Sequence, residues 1–215
     1  MRLLDRGFFR VGSESYAEQN ETYGLATLLR RHAQVAGSTV LFDYVAKGGA
    51  RRLLELKDRD VARLVEVLKR RRGGGPELLA YRNGRRWVDV RSEEINAYIK
   101  ELAGEDFTAK DFRTWNATLL AAVALALADP VASVTARKRV MSAAVKTVAE
   151  YLGNTPTVCR VSYIDPRVFD RYRAGATIAA PLGEVDLADV TGLQGAVEEA
   201  VIELLDGPAP ESRAA

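Results

Sequence analysis

Between two helix starts ten residues apart stands a tyrosine with arginines on either side. Residues 151–173 read Y-L-G-N-T-P-T-V-C-R-V-S-Y-I-D-P-R-V-F-D-R-Y-R. Thr155-Pro156 and Asp165-Pro166 each pair a good N-cap with a proline at the first helical position, and Tyr163 lies between them. With 157–162 helical, Arg160 falls one turn before Tyr163 on the same face, and Arg167 follows the second proline. A phenol flanked by guanidiniums, close to helix N-termini that favour anions, is a candidate nucleophile toward a phosphate. The alternative is an ordinary packing tyrosine with solvated arginines around it.

Three further cations need an explanation. Arg10 sits in F-F-R-V, and a charge among apolar neighbours requires a partner: an acidic side chain such as Glu14 or Glu21, or a phosphate. Lys47 occupies the tip of a predicted hairpin, A-K-G-G. There it is either simply solvated or, with Arg51 and Arg52 nearby, a finger toward a nucleic-acid groove. Lys110 and Arg113 fall in the first turn of a predicted helix, where the dipole disfavours cations unless an anion binds. Asp111 or a DNA phosphate would supply it.

The elements that must position these residues follow from local signals. Residues 2–6 read as the last turn of a helix, and 13–19 as a short helix. Residues 23–34 and 38–47 are strand candidates joined at Gly37-Ser38, and Gly48-Gly49 turns the second into a third strand over 50–56. Asp58 caps a helix to about Arg72, ended by Gly73-Gly74-Gly75-Pro76, a run without the lysine and hydroxyl of a phosphate loop. Asn83-Gly84 marks a hairpin within 78–90, and Ser92 caps a helix to Leu102. Thr108 and Asp111 form a capping box opening a largely apolar, buried helix that ends near Asp129-Pro130. Ser133 caps the next helix, which carries Arg137 and Lys138 and stops at Gly153, with Asn154 in the link toward Tyr163. A last amphipathic helix spans 187–205, and 207–215 reads as a disordered tail.

Composition sets the class. With 215 residues, 47% of them hydrophobic, the chain can bury a substantial core. The single cysteine, Cys159, excludes an intramolecular disulfide and fits a reducing compartment. The single histidine, His32, excludes a multi-histidine metal site. The opening M-R-L-L-D-R-G does not read as a signal peptide, no stretch reads as a membrane span, and a cytoplasmic protein is expected. The net charge of +2 conceals a division. Residues 181–215 hold eight acidic side chains and one basic, a balance of −7, while 1–180 hold 30 basic and 21 acidic, or +9. A basic body with an acidic end is the footprint of a polyanion binder.

In order along the chain, F-F-R-V-G around Arg10, N-E-T-Y-G-L-A-T-L at 20–28, the A-K-G-G tip at Lys47, K-D-F-R-T-W at 110–115, and L-G-N-T-P with S-Y-I-D-P-R at 152–167 resemble the catalytic domain of type IB DNA topoisomerases of the small poxviral and bacterial kind. The resemblance runs from about residue 2 to 175. It implies an α+β, predominantly helical fold with a small antiparallel sheet, similar to that of the tyrosine recombinases. The catalytic domain would occupy 1–180, an acidic C-terminal helix would pack on it over 181–206, and the tail would be 207–215.

The same resemblance implies the chemistry. Tyr163 would attack a DNA phosphodiester to give a 3′-phosphotyrosyl link, with Arg10 and Arg113 holding the non-bridging oxygens and Lys47 protonating the departing 5′-oxygen. Asn154 stands where poxviral members have a histidine, so it can donate a hydrogen bond without carrying charge. Arg51, Arg52, Lys110, Arg137, Lys138, Arg160 and Arg167 would contact DNA. No metal, nucleotide or other cofactor is implied. The partner is duplex DNA, the protein a monomer associated with the nucleoid, and no membrane is involved. Family members carry a small N-terminal clamp domain, so the sequence is expected to be truncated at that end. The rival readings are a tyrosine recombinase or integrase, whose second motif would read H-x-x-R where Lys110 precedes Arg113, and a catalytically impaired DNA-binding fragment; a basic RNA-binding protein leaves the ordered residues unexplained.

Overall fold

The computed structural model describes residues 1–182 and 195–207. The chain divides into two compact units, Met1–Arg113 and Thr114–Ala215. Among the described residues, helices dominate and the strands form two small antiparallel sheets, the expected α+β class.

The first unit opens with α1 (Arg2–Gly7) and α2 (Glu14–Asn20). A three-stranded sheet follows, β1 (Ala33–Ala36), β2 (Thr39–Val45) and β3 (Arg51–Lys57), in that spatial order. Inward positions of β2 alternate as the period of a strand requires: Val40, Phe42 and Tyr44 are buried. Phe9 packs edge-on to Phe42 and stacks on Tyr44, so the residue preceding Arg10 is part of the core. Next come α3 (Arg59–Arg70), the hairpin β4 (Ala80–Asn83) and β5 (Arg86–Asp89), and α4 (Ser92–Ala103). Asp58 caps α3 as predicted, its carboxylate accepting from the Asp60 and Val61 amides while Arg2 and Arg6 of α1 pair with it. The Gly84-Arg85 dipeptide is the turn, with Asn83 paired to Arg86, and Gly84 takes φ 58°.

Helix α5 (Ala109–Ala126) crosses from the first unit into the second. The expected Thr108–Asp111 box is present, with the Thr108 amide and hydroxyl both donating to the Asp111 carboxylate. No residue from Arg113 to Ala126 is exposed, in keeping with its apolar sequence. The second unit continues with α6 (Val134–Leu152), α7 (Pro156–Ser162), α8 (Pro166–Arg173), α9 (Ala179–Leu182) and α10 (Ala196–Asp206). Ser133, Thr155 and Asp165 cap α6, α7 and α8 through their side chains, and Gly153 ends α6 in the left-handed conformation. Among the described residues, no helix is long and apolar enough to cross a membrane.

Three expectations change. Residues 23–34 are not a strand but two 3-10 turns, Leu25–Thr27 and Arg30–His32, leading into β1. Thr27 Oγ1 accepts the Gly24 amide and donates back to its carbonyl, a local side-chain bond that competes with ladder pairing. Two other amides reach a different segment, Leu25 to Arg10 and Ala26 to Val11. Ser92 does not cap α4: Arg91 is the N-cap, and its amide donates to Glu94. The Ser92 amide and hydroxyl both donate to Glu14, at 2.8 Å each. Of the predicted 187–205 helix, 196–205 lies within α10, while Val190 and Leu193 lie outside the described residues, as does the tail beyond Gly207.

Candidate active site

In the first unit Arg10 is linked on one side to Arg52 and Arg113 and on the other to Lys47. Arg10 is held by its main chain: its carbonyl accepts from Leu25, and that of Val11 from Ala26, both at 2.8 Å. The two segments cross so closely that a Cβ on Gly24 would lie 2.5 Å from the Gly12 Cα, so glycine is required there. Arg113, 2% exposed, donates from its guanidinium to the Phe8 carbonyl. Arg52 is the cross-strand partner of Tyr44. These three guanidiniums lie around the Tyr44 hydroxyl: burial pushes its pKa up, and Arg52, Arg113 and Arg10 pull it back down. Burial also lowers the pKa of Arg52. A buried phenol among three guanidiniums marks a place where negative charge is electrostatically welcome.

Lys47 stands at the β2–β3 tip, exposed, followed by Gly48 and Gly49 at φ 90° and 78°. Its ammonium rests over the Tyr16 ring of α2, 5.4 Å from the centroid. Lys47 and Arg10 line one cavity of about 360 Å³ together with Tyr16, Gln19 and Thr22, ample for a phosphodiester. Glu14, one of the acidic partners considered for Arg10, is taken up by Ser92 instead.

In the second unit Tyr163 is the half-buried C-cap of α7, at φ −133° and ψ −25°. Its amide and that of Ile164 both donate to the Cys159 carbonyl, and Cys159 is the one buried residue of α7. Asn154 lies between α6 and α7, its amide donating to the Ala149 carbonyl at 2.9 Å. The N-terminus of α8 is filled by the Asp165 carboxylate, so the anion there belongs to the protein. Among the described residues, no three His, Cys, Asp or Glu side chains are placed to hold a metal ion.

Comparison with known proteins decides the family. Residues 1–180 match the family model for the catalytic core of eukaryotic DNA topoisomerase I. The chain belongs to the topoisomerase I family. It is also similar to DNA topoisomerase 1B of Acanthamoeba polyphaga mimivirus, 27% identical over 172 residues, which cover 76% of this chain and 51% of that protein. The chain thus spans about half the length of the curated relative it matches.

The outer cations of this topoisomerase I catalytic core are placed less uniformly than the sequence implied. Arg51 is exposed but forms a forked pair with Asp43 at 2.8 and 2.7 Å. Arg167 folds back on Asp165 in the same way. Arg137 is occupied by the carbonyls of Val131, Ala132 and Arg173. Arg160 covers the Phe169 ring, 4.7 Å from its centroid. Lys110 and Lys138 are exposed. Two residues escaped the sequence reading, Tyr16 and Tyr44. Period-2 alternation in β2 places Tyr44 inward, but its arginine neighbours follow only from the β2–β3 register.

Proposed function

We propose that this chain carries the DNA-cleaving and religating chemistry of a type IB DNA topoisomerase, relaxing supercoiled duplex DNA. The observation that carries the reading is that Arg10 shares one cavity with Lys47 and acts together with Arg113 on the buried Tyr44 phenol, in the first unit of a chain belonging to the topoisomerase I family. The Tyr163 hydroxyl attacks the scissile phosphorus, giving up its proton to a solvent water as the tyrosine-to-phosphorus bond forms, and the bond to the 5′-oxygen breaks. Lys47 leaves the Tyr16 face and delivers a proton to that departing oxygen, a general-acid contribution of about 10²–10⁴ in rate. Arg10 and Arg113 stabilise the charge that accumulates on the non-bridging oxygens, and Asn154 donates a neutral hydrogen bond to one of them. The 3′-phosphotyrosyl bond stores the energy of the broken linkage, the free strand rotates, and its 5′-hydroxyl reverses the reaction without ATP or metal.

Duplex DNA is the partner, engaged through Lys110, Lys138, Arg52 and Arg160, with Arg51, Arg137 and Arg167 joining as they exchange protein acceptors for phosphates. The catalytic domain spans 1–180, followed by the acidic segment 181–215, in a monomer associated with the nucleoid in the cytoplasm. Plasmid relaxation in EDTA without nucleotide tests the reading. Relaxed topoisomers are expected; supercoils left intact, with no protein bound covalently to the DNA, contradict it.

A further inference from the structure

Thr118 lies in the interior of α5 and is 2% exposed. Its hydroxyl has two partners: it donates to the Thr114 carbonyl at 2.9 Å and accepts the Asp165 amide at 3.1 Å. The first bond is a common one for a helical threonine and brings the helix little, since alanine or leucine would suit that position better. The second reaches the link that carries Tyr163. In that link the Tyr163 and Ile164 amides stay within α7, both on the Cys159 carbonyl at 3.1 and 3.2 Å. The Asp165 amide alone of the three leaves the segment, and Thr118 receives it. Ile164, between them, is 4% exposed, while the Asp165 carboxylate is already committed to the Arg167 amide and guanidinium.

We propose that Thr118 is a positioning residue for Tyr163: its buried hydroxyl fixes the main chain two residues beyond the phenol to α5. The assignment rests on Tyr163 being the nucleophile. In-line attack requires the phenolic oxygen within about 3–3.5 Å of phosphorus and on axis, and a displacement of about 1 Å costs on the order of 10²-fold in rate. With the hydroxyl removed, the Asp165 amide loses its acceptor, and the link between α7 and α8 loses this main-chain tie to α5.

The test compares Thr118→Val, which keeps the shape and removes the hydroxyl, with Thr118→Ser, which keeps the hydroxyl. Single-turnover formation of the covalent adduct on a suicide duplex is measured beside DNA affinity by fluorescence anisotropy and amide exchange at Asp165 by NMR. T118V is expected to cleave about 10- to 100-fold more slowly, with unchanged DNA affinity and faster exchange at Asp165, and T118S to restore cleavage. A T118V protein that cleaves at the wild-type rate, or a T118S protein as slow as T118V, overturns the proposal alone. A wild-type chain that forms no adduct through Tyr163 overturns the nucleophile reading, and the proposal with it.

Discussion

The Arg113 guanidinium donates to the main-chain carbonyl of Phe8, two residues before Arg10. Phe8 adopts a left-handed conformation, φ 51° and ψ 28°, which is uncommon for a residue with a bulky side chain. One proposed phosphate-binding arginine therefore holds the segment that presents the other. A change at Arg113 should act twice, on the anion it binds and on the placement of Arg10.

Arg113→Lys keeps the charge but removes the planar fork that serves a carbonyl and a phosphate together. Single-turnover cleavage should fall by about 10²–10³-fold, the scale for losing a transition-state donor. Arg113→Ala should in addition lower stability by about 1–3 kcal/mol, because the Phe8 carbonyl loses its donor. A cleavage assay and a denaturant titration check both, and an R113K protein cleaving at the wild-type rate rules out the role.

Lys47 is assigned to the leaving group. Lys47→Ala should slow cleavage of a normal strand by about 10²-fold or more, yet leave almost unchanged the cleavage of a strand with a 5′-thiol leaving group, which needs no proton. Equal slowing of both substrates would remove Lys47 as the acid.

Local chemistry made much of this legible in the sequence. Asp58, Ser133, Thr155 and Asp165 announced their helices because a cap is a bond between a side chain and amides two or three residues on. What depended on distant chain was hidden. Residues 23–34 have strand composition, but the approach of Gly24 to Gly12 and the reach of Leu25 to Arg10 fold them into 3-10 turns. Ser92 resembled a cap until Glu14, 78 residues away, took its hydroxyl. The order Arg10, Lys47, Arg113, Tyr163 could be read from spacing and resemblance. The arrangement of Arg10, Arg52 and Arg113 around Tyr44 could not, since it follows from sheet register and from the seat of Arg113 on Phe8.

Asp58 ties α1 to α3. Burial works against its charge, but the Val61 and Asp60 amides and the Arg2 and Arg6 guanidiniums hold its pKa below the usual carboxylate value. Its ionised form is therefore favoured in the folded state. The contribution is fully present above the unfolded pKa of about 3.9 and is lost as pH falls through the lower folded value. Asp58→Ala should cost about 1–3 kcal/mol at pH 7. Equilibrium unfolding between pH 7 and 2 should show the gap between wild type and D58A closing only in the acid range; a gap independent of pH contradicts the assignment.

Arg171 is 8% exposed and donates to the carbonyls of Leu205 and Gly207, closing the C-terminal end of α10. Arg171→Met keeps the packing stem and leaves those carbonyls without this donor, so the second unit should lose about 1–3 kcal/mol. Trp115, whose indole N–H donates to Glu198 of α10 at 3.1 Å, reports on the same helix. Its fluorescence should change at lower denaturant in R171M than in wild type, and coincident transitions would contradict the capping role.

The central claim is that Tyr163 is the nucleophile, and trapping the covalent complex tests it most directly. Protein mixed with supercoiled plasmid and quenched with detergent should leave DNA bound to the chain through its 3′ end, and Tyr163→Phe should abolish the adduct while leaving DNA binding intact. An adduct that survives the Tyr163→Phe change would contradict the account.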